Sequence, residues 1–204
     1  MLLDAEYISI DKDCLDFLQD FLFKSTVDHY VVCSRRAYLD FNRTLNFKEK
    51  KSQAERQELF DKGTEILRKS ITNMMDAGIS SQTEYDNWHF EVCTELRNLY
   101  TRAGVAFTFG QSQKWLNMMM KYLYVLGTYS FEEIFSFLHP PLDNIILKVA
   151  QSKFGIPRFQ KPWSKVDDYQ EYLDYQKKLR AQISDCIPLR WEFQAWHWAA
   201  QDRS

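Results

Sequence analysis

Gly78, Gly104, Gly127 and Gly155 punctuate a chain that otherwise has few helix-breaking residues. Between them, apolar residues recur at three- and four-residue intervals, the repeat that lines one face of a helix. Leu59, Phe60, Ile66, Leu67, Ile71 and Met74 carry one such face up to Gly78, a residue suited to a helix C-terminus. Tyr85, Trp88, Val92, Leu96 and Leu99 carry the next toward Gly104, with Ser80, Ser81 and Thr83 as candidate N-caps. Only 6 glycines and 5 prolines occur in 204 residues, which favours long helices with short connections. The spacing predicts an all-α protein, a single compact domain of about eight or nine helices over residues 1–204. Val105–Phe109 alternates like a strand but has no evident partner, so it reads as a connector.

The remaining elements follow the same logic. Asp11 or Asp13 caps a first helix with Leu15, Leu18, Phe21 and Leu22 on one face. A second runs from Val27 to about Phe47, with Arg35, Arg36 and Arg43 opposite Tyr30, Val31, Tyr38, Leu39 and Phe41. The polar stretch Lys48–Glu58 reads as a solvated helix start. A further helix spans Gln111 to about Leu126, and Ser130 with Glu133 forms a capping box for a short helix over Phe131–Leu138. Pro140 and Pro141 forbid its continuation, and the next helix begins at Pro141 or Asp143 and ends at Gly155. Ser164 with Asp167 caps a polar-faced helix, and Pro188 opens a last one bearing Trp191, Trp196 and Trp198.

A formal net charge of −2 argues against a protein that coats nucleic acid through general basicity, while a local basic face stays open. There is no run of 18 apolar residues, so no membrane span is expected. The first residues are acidic where a signal peptide would be basic and then apolar. Cys14, Cys33, Cys93 and Cys186 are far apart and form no CxxC, pointing to reduced thiols in a cytoplasmic protein. Neither paired His/Cys spacing nor a phosphate-cradling glycine loop is present, so no metal and no cofactor are expected.

The sequence concentrates its candidate chemistry between residues 104 and 154. Lys114 lies among Trp115, Leu116, Met118, Met119, Tyr122 and Leu123. It either snorkels to solvent or is partly buried as an amine nucleophile. Lys121 lies two turns along the same side and is its rival. Asp143 follows Pro140-Pro-Leu and reads as an N-cap, which fixes a carboxylate in direction and favours its ionised form. The two would converge if their helices pack antiparallel.

Gly110-Gln-Ser-Gln-Lys114-Trp-Leu-Asn-Met, followed by Pro140-Pro-Leu-Asp143-Asn-Ile-Ile-Leu-Lys148-Val-Ala, resembles the signature region of the helix-hairpin-helix DNA glycosylase superfamily. The likeness, over residues 110–154, is to the 8-oxoguanine DNA glycosylases and most of all to their archaeal branch. It implies a base-excision glycosylase and abasic-site lyase in which Lys114 attacks the deoxyribose and Asp143 stabilises the oxocarbenium-like charge. It also implies damaged or single-stranded DNA as partner. Base extrusion needs aromatic walls. Trp88, Phe107, Phe109, Trp115 and Trp163 are available, with Phe107 and Phe109 placed beside the proposed hairpin. Gly110 and Gln111 belong to that hairpin. Lys148, with Lys153, Arg158 and Lys161, forms a local basic cluster that is either a solvated face or a phosphate-contact surface. His139 is a candidate acid or base, alternatively a helix-terminal residue.

Two other classes fit the same sequence. A non-catalytic helical interaction module, homo-oligomeric or binding a protein partner, would use the tryptophan-rich C-terminal helix as its surface. A helical nuclease would use His139.

Overall fold

The computed structural model describes residues 28–47, 51–183 and 186–201, together with positions 13, 16, 17, 20 and 21. Among the described residues seven α-helices have defined bounds: α1 His29–Leu39, α2 Gln53–Ala77, α3 Gln82–Arg102, α4 Phe109–Val125, α5 Asn144–Phe154, α6 Tyr169–Gln182 and α7 Pro188–Gln201. Short 3₁₀ turns at Asn42–Thr44 and Trp163–Lys165 join them, and no strand occurs among the described residues. The expected helix capped by Asp11 or Asp13 falls mostly outside those residues. No described helix is long and apolar enough to cross a membrane.

Local chemistry accounts for most boundaries. Ser52 and Glu55 form a reciprocal capping box that starts α2 at Gln53, while residues 48–50 of the expected solvated helix start lie outside the described residues. Ser81 caps α3 through the Glu84 N–H. Gly155 closes α5 in the left-handed region at φ 68°.

The segment expected as a helix over Phe131–Leu138 is instead a succession of turns. Phe131, Ile134, Phe135 and Leu138 are each buried, and so few residues ahead of two prolines cannot offset the cost of nucleating a helix. Likewise α6 starts at Tyr169 under an Asp168 cap, not at Ser164. The backbone of 163–166 is already committed to α4. Thr108 Oγ1 donates to the Ser164 carbonyl at 2.9 Å, and Gly110 N–H donates to the Val166 carbonyl at 2.8 Å.

Helix α4 is the centre of the molecule. Every residue from Gly110 to Lys121 is buried, with α1, α3, α6 and the Trp163–Lys165 turn packed around it. Trp115 anchors the core between α4 and α1–α2, its ring centroid 5.0 Å from Tyr38 and 5.9 Å from Phe60. Gly63 is needed there, since a Cβ at that position would lie 2.4 Å from the Trp115 ring. Helices α5 and α7 pack on each other at one end.

Candidate active site

A buried helix normally carries apolar residues on all sides. Helix α4 departs from this by placing Gln113, Lys114, Asn117 and Lys121 in the interior. Lys114, Met118, Lys121 and Tyr122 share one face at helical spacing and line a cleft of about 450 Å³. Arg36, Leu39 and Asp40 from the end of α1, Arg43 from the 3₁₀ turn, Asp143 to Ile145 from the start of α5, Trp163 and Trp196 complete it.

Lys114 and Asp143, 29 residues apart in sequence, meet inside this cleft: Nζ is 2.7 Å from Oδ2. Their side chains are 3% and 11% exposed. Helix α5 packs against α7, and its N-terminal end is what meets α4 here. The chain between the helices returns to the first turns of α4 and delivers only the N-terminal end of α5.

Gln113 holds that end in place. Its Nε2 donates to the carbonyls of Gly110 and Leu142 at 3.0 and 2.9 Å, and its Oε1 accepts from the Leu142 N–H at 3.2 Å. The residue before Asp143 is thereby clamped through both backbone groups. Asp143 then caps α5, with Oδ1 accepting from the N–H groups of Ile145 and Ile146. Gln176 adds a bond to the Pro140 carbonyl at 2.8 Å.

Two turns further along the same face, Lys121 pairs with Glu192 of α7 at 2.6 and 2.9 Å. The Glu192 side chain is fully buried. Burial pushes its carboxyl above the ordinary value, against the pull of Lys121 and Lys114. Lys121 also sits 4.5 Å over the Phe193 ring and 5.8 Å from that of Trp196.

His139 lies elsewhere. It is buried between Asp86, 2.9 Å from Nε2, and the Tyr172 hydroxyl, 2.9 Å from Nδ1. His89 continues the network to Asn117 and the Tyr169 hydroxyl at 3.0 and 2.8 Å. Burial lowers both imidazoles below their ordinary value, and the neighbouring His139 adds to the effect on His89. Asp86 itself is lowered, because bonds from His139 and Gln82 outweigh its desolvation. Asn117 Nδ2 donates to Gln113 Oε1 at 3.1 Å, which links this network to the Asp143 clamp. His139 therefore supports the site from behind and does not enter the cleft.

The other expected contact residues separate in the same way. Gly110 does not open a hairpin. It lies inside α4, where a Cβ would fall 1.9 Å from the Trp163 carbonyl oxygen, and its N–H is taken by Val166. Gln111 caps α4 with Thr108 and donates to the Thr44 carbonyl and hydroxyl at 3.0 Å. Phe107 is buried and stacks on Tyr100, and Trp115 is core. Phe109 faces a separate shallow groove with Phe90 and Tyr169, and Trp88 lines another beside α2. Of the five aromatic candidates, Trp163 is the one in the cleft wall.

Lys148 is exposed on α5 away from the cleft lining. Its basic neighbours are engaged locally: Lys153 lies over Trp198, Arg158 bonds Gln151, and Lys161 pairs with Glu171. Of the C-terminal tryptophans, Trp191 is buried, Trp196 is exposed at the cleft wall and Trp198 is half-buried. Sequence reasoning missed Arg36, Asp40, Arg43, Trp196 and Glu192 as site residues. The first three recur at positions i, i+4 and i+7, a helical signal, although Arg43 lies in the following turn. No three histidine, cysteine or carboxylate side chains gather as a metal would require among the described residues. Comparison with known protein families, characterised proteins and solved structures returns no match to this chain.

Proposed function

We propose that the chain is a DNA base-excision glycosylase and abasic-site lyase with Lys114 as nucleophile and Asp143 as its proton partner. The observation that carries this reading is the 2.7 Å contact between the two groups at the wall of a cleft large enough for one nucleotide unit. An amine attacks as the free base, and the Asp143 carboxylate is the group placed to accept its proton. The Lys114 nitrogen then bonds to C1′ of the deoxyribose as the bond from C1′ to the base breaks. The departing base takes that electron pair and a proton. Ring opening converts the adduct to an imine between Lys114 and C1′, and loss of a C2′ proton expels the 3′ phosphate. Asp143, held by the N–H groups of its own helix, is assigned the stabilisation of the positive charge that develops on the sugar. Trp163 and Trp196 supply aromatic surface for an extruded nucleotide.

Borohydride reduction tests this directly. The protein is incubated with oligonucleotides carrying an abasic site or 8-oxoguanine, reduced, and the adduct mapped by mass spectrometry. The expected result is a covalent adduct on Lys114 that disappears in Lys114→Gln. No adduct with any of these DNAs, or one mapped to Lys121, would overturn the assignment.

A further inference from the structure

The cleft carries more positive charge than the proposed chemistry uses. Lys114 and Lys121 are each neutralised by a buried carboxylate. Arg36 and Arg43 line the same cleft, are exposed and form no ion pair with any described residue, while Asp40 beside them accepts from the Tyr122 hydroxyl. Their placement is not accidental to a mobile surface. Arg36 sits in the last turn of α1, which packs on α4, and Tyr122 is its neighbour there. Arg43 belongs to the 3₁₀ turn that Gln111 ties to α4 through both Thr44 oxygens. The backbone carrying each arginine is thus fixed to α4, and both side chains line the cleft that the start of α5 also lines.

Guanidinium groups match phosphate oxygens in geometry, stay charged, and leave water more readily than an ammonium. The overall charge of −2 means that this arginine pair is a local exception and not part of a basic coat. Another route to phosphate is closed. The Gly110 N–H, which a hairpin would offer to the DNA backbone, is consumed by the Val166 carbonyl. We infer that Arg36 and Arg43 are the strand anchor: they bind consecutive phosphodiesters of a single-stranded or locally unpaired segment whose central nucleotide enters the cleft. This rests on the nucleotide-binding reading of the cleft, though not on lysine chemistry.

The test measures binding of the full chain to a labelled short single strand containing a tetrahydrofuran abasic analogue, by fluorescence anisotropy across a salt series. Arg36→Gln and Arg43→Gln should each reduce the magnitude of the slope of log affinity against log salt by about 0.7, the single-strand value per phosphate contact, while Lys178→Gln leaves it unchanged. Circular dichroism establishes that the variants are folded. The matching fully paired duplex should bind more weakly than the single strand. Slopes unchanged by the arginine variants, no binding by the wild type, or a deoxynucleoside monophosphate binding as tightly as the strand would each overturn the anchor. Arginine-dependent binding without borohydride trapping would sustain the anchor and defeat the lyase; trapping with unchanged slopes would do the reverse.

Discussion

Asp143 divides its two carboxylate oxygens, giving Oδ2 to Lys114 at 2.7 Å and Oδ1 to the first N–H groups of its own helix at 2.9 and 3.0 Å. Glu192 has no such second support, because both of its oxygens face Lys121. The two buried ion pairs should therefore respond differently when the lysine is removed. Lys121→Met is expected to cost about 3–5 kcal/mol near neutral pH, the range for a broken buried pair. Lys114→Met should cost clearly less, since two N–H donors and the helix dipole still stabilise the carboxylate. The Lys121→Met deficit should shrink toward acid pH, because burial already raises the Glu192 carboxyl and a protonated Glu192 no longer needs a cation. Urea unfolding at two pH values checks both statements. Equal losses for the two variants would mean that the α5 N-terminus does not hold the Asp143 charge.

Part of this site is legible in the sequence. Pro140-Pro-Leu-Asp143 marks an N-cap whatever the fold, and seven-residue spacing puts Lys114 and Lys121 on one face. The true start of α4 was also written there, as Thr108 with Gln111, a capping pair that Gly110 obscured. The rest arises from tertiary contacts with no local pattern. Gly110 is a glycine because the Trp163 carbonyl from over 50 residues away lies against it, a contact seen only after folding. Trp115 looks like an exposed aromatic wall only until α1 and α2 close over it, and Phe107 only until Tyr100 of α3 stacks on it. Glu192 reaches Lys121 across 71 residues, so neither residue announces the other.

Gln113 does not itself line the cleft, yet it grips Leu142 through both backbone groups and so sets the position of Asp143. Gln113→Leu keeps similar bulk but removes the clamp. The expected outcome is a fall of about 100-fold in the single-turnover trapping rate, as for misplacement of a catalytic group by an ångström, with single-strand affinity unchanged. Rate and affinity measured on the same abasic oligonucleotide separate the two effects. A parallel loss of affinity would show that the substitution disturbs the whole cleft and not the placement of one carboxylate.

The buried imidazoles predict how stability depends on pH. His89 and His139 both have folded-state values pushed below the ordinary 6.5, first by burial. A depressed value means that the unfolded chain binds protons that the folded chain refuses. Stability from this source is complete above about pH 6.5 and declines as pH falls through that value toward the lower folded ones. Glu192, whose carboxyl is raised, works in the opposite direction nearer its own range, so the wild-type profile alone does not isolate the histidines. Comparison with His89→Gln does. The variant should lose less stability between pH 7.5 and 5.5 than the wild type, measured by urea unfolding. An identical decline would place the proton uptake on other groups.

Gly110 gives the sharpest link between packing and the cleft. A methyl group there would sit 1.9 Å from the Trp163 carbonyl oxygen and 3.0 Å from its carbon, against backbone that cannot rotate aside. Gly110→Ala must push the Trp163–Lys165 turn away from α4, stretching the 2.8 Å bond from Gly110 N–H to the Val166 carbonyl and moving the Trp163 ring from the cleft wall. The expected cost is about 1–3 kcal/mol for overpacking, accompanied by weaker binding of the abasic single strand. Gly127→Ala is the matched comparison. At φ 62° it carries left-handed strain of about 1–2 kcal/mol, but nothing lies within 4 Å of the added carbon, and it is outside the cleft lining. Thermal unfolding should therefore rank the two variants as similarly destabilised, whereas strand affinity should fall only for Gly110→Ala. Equal affinity losses would indicate that binding follows global stability and that the Trp163 wall makes no contact with the strand.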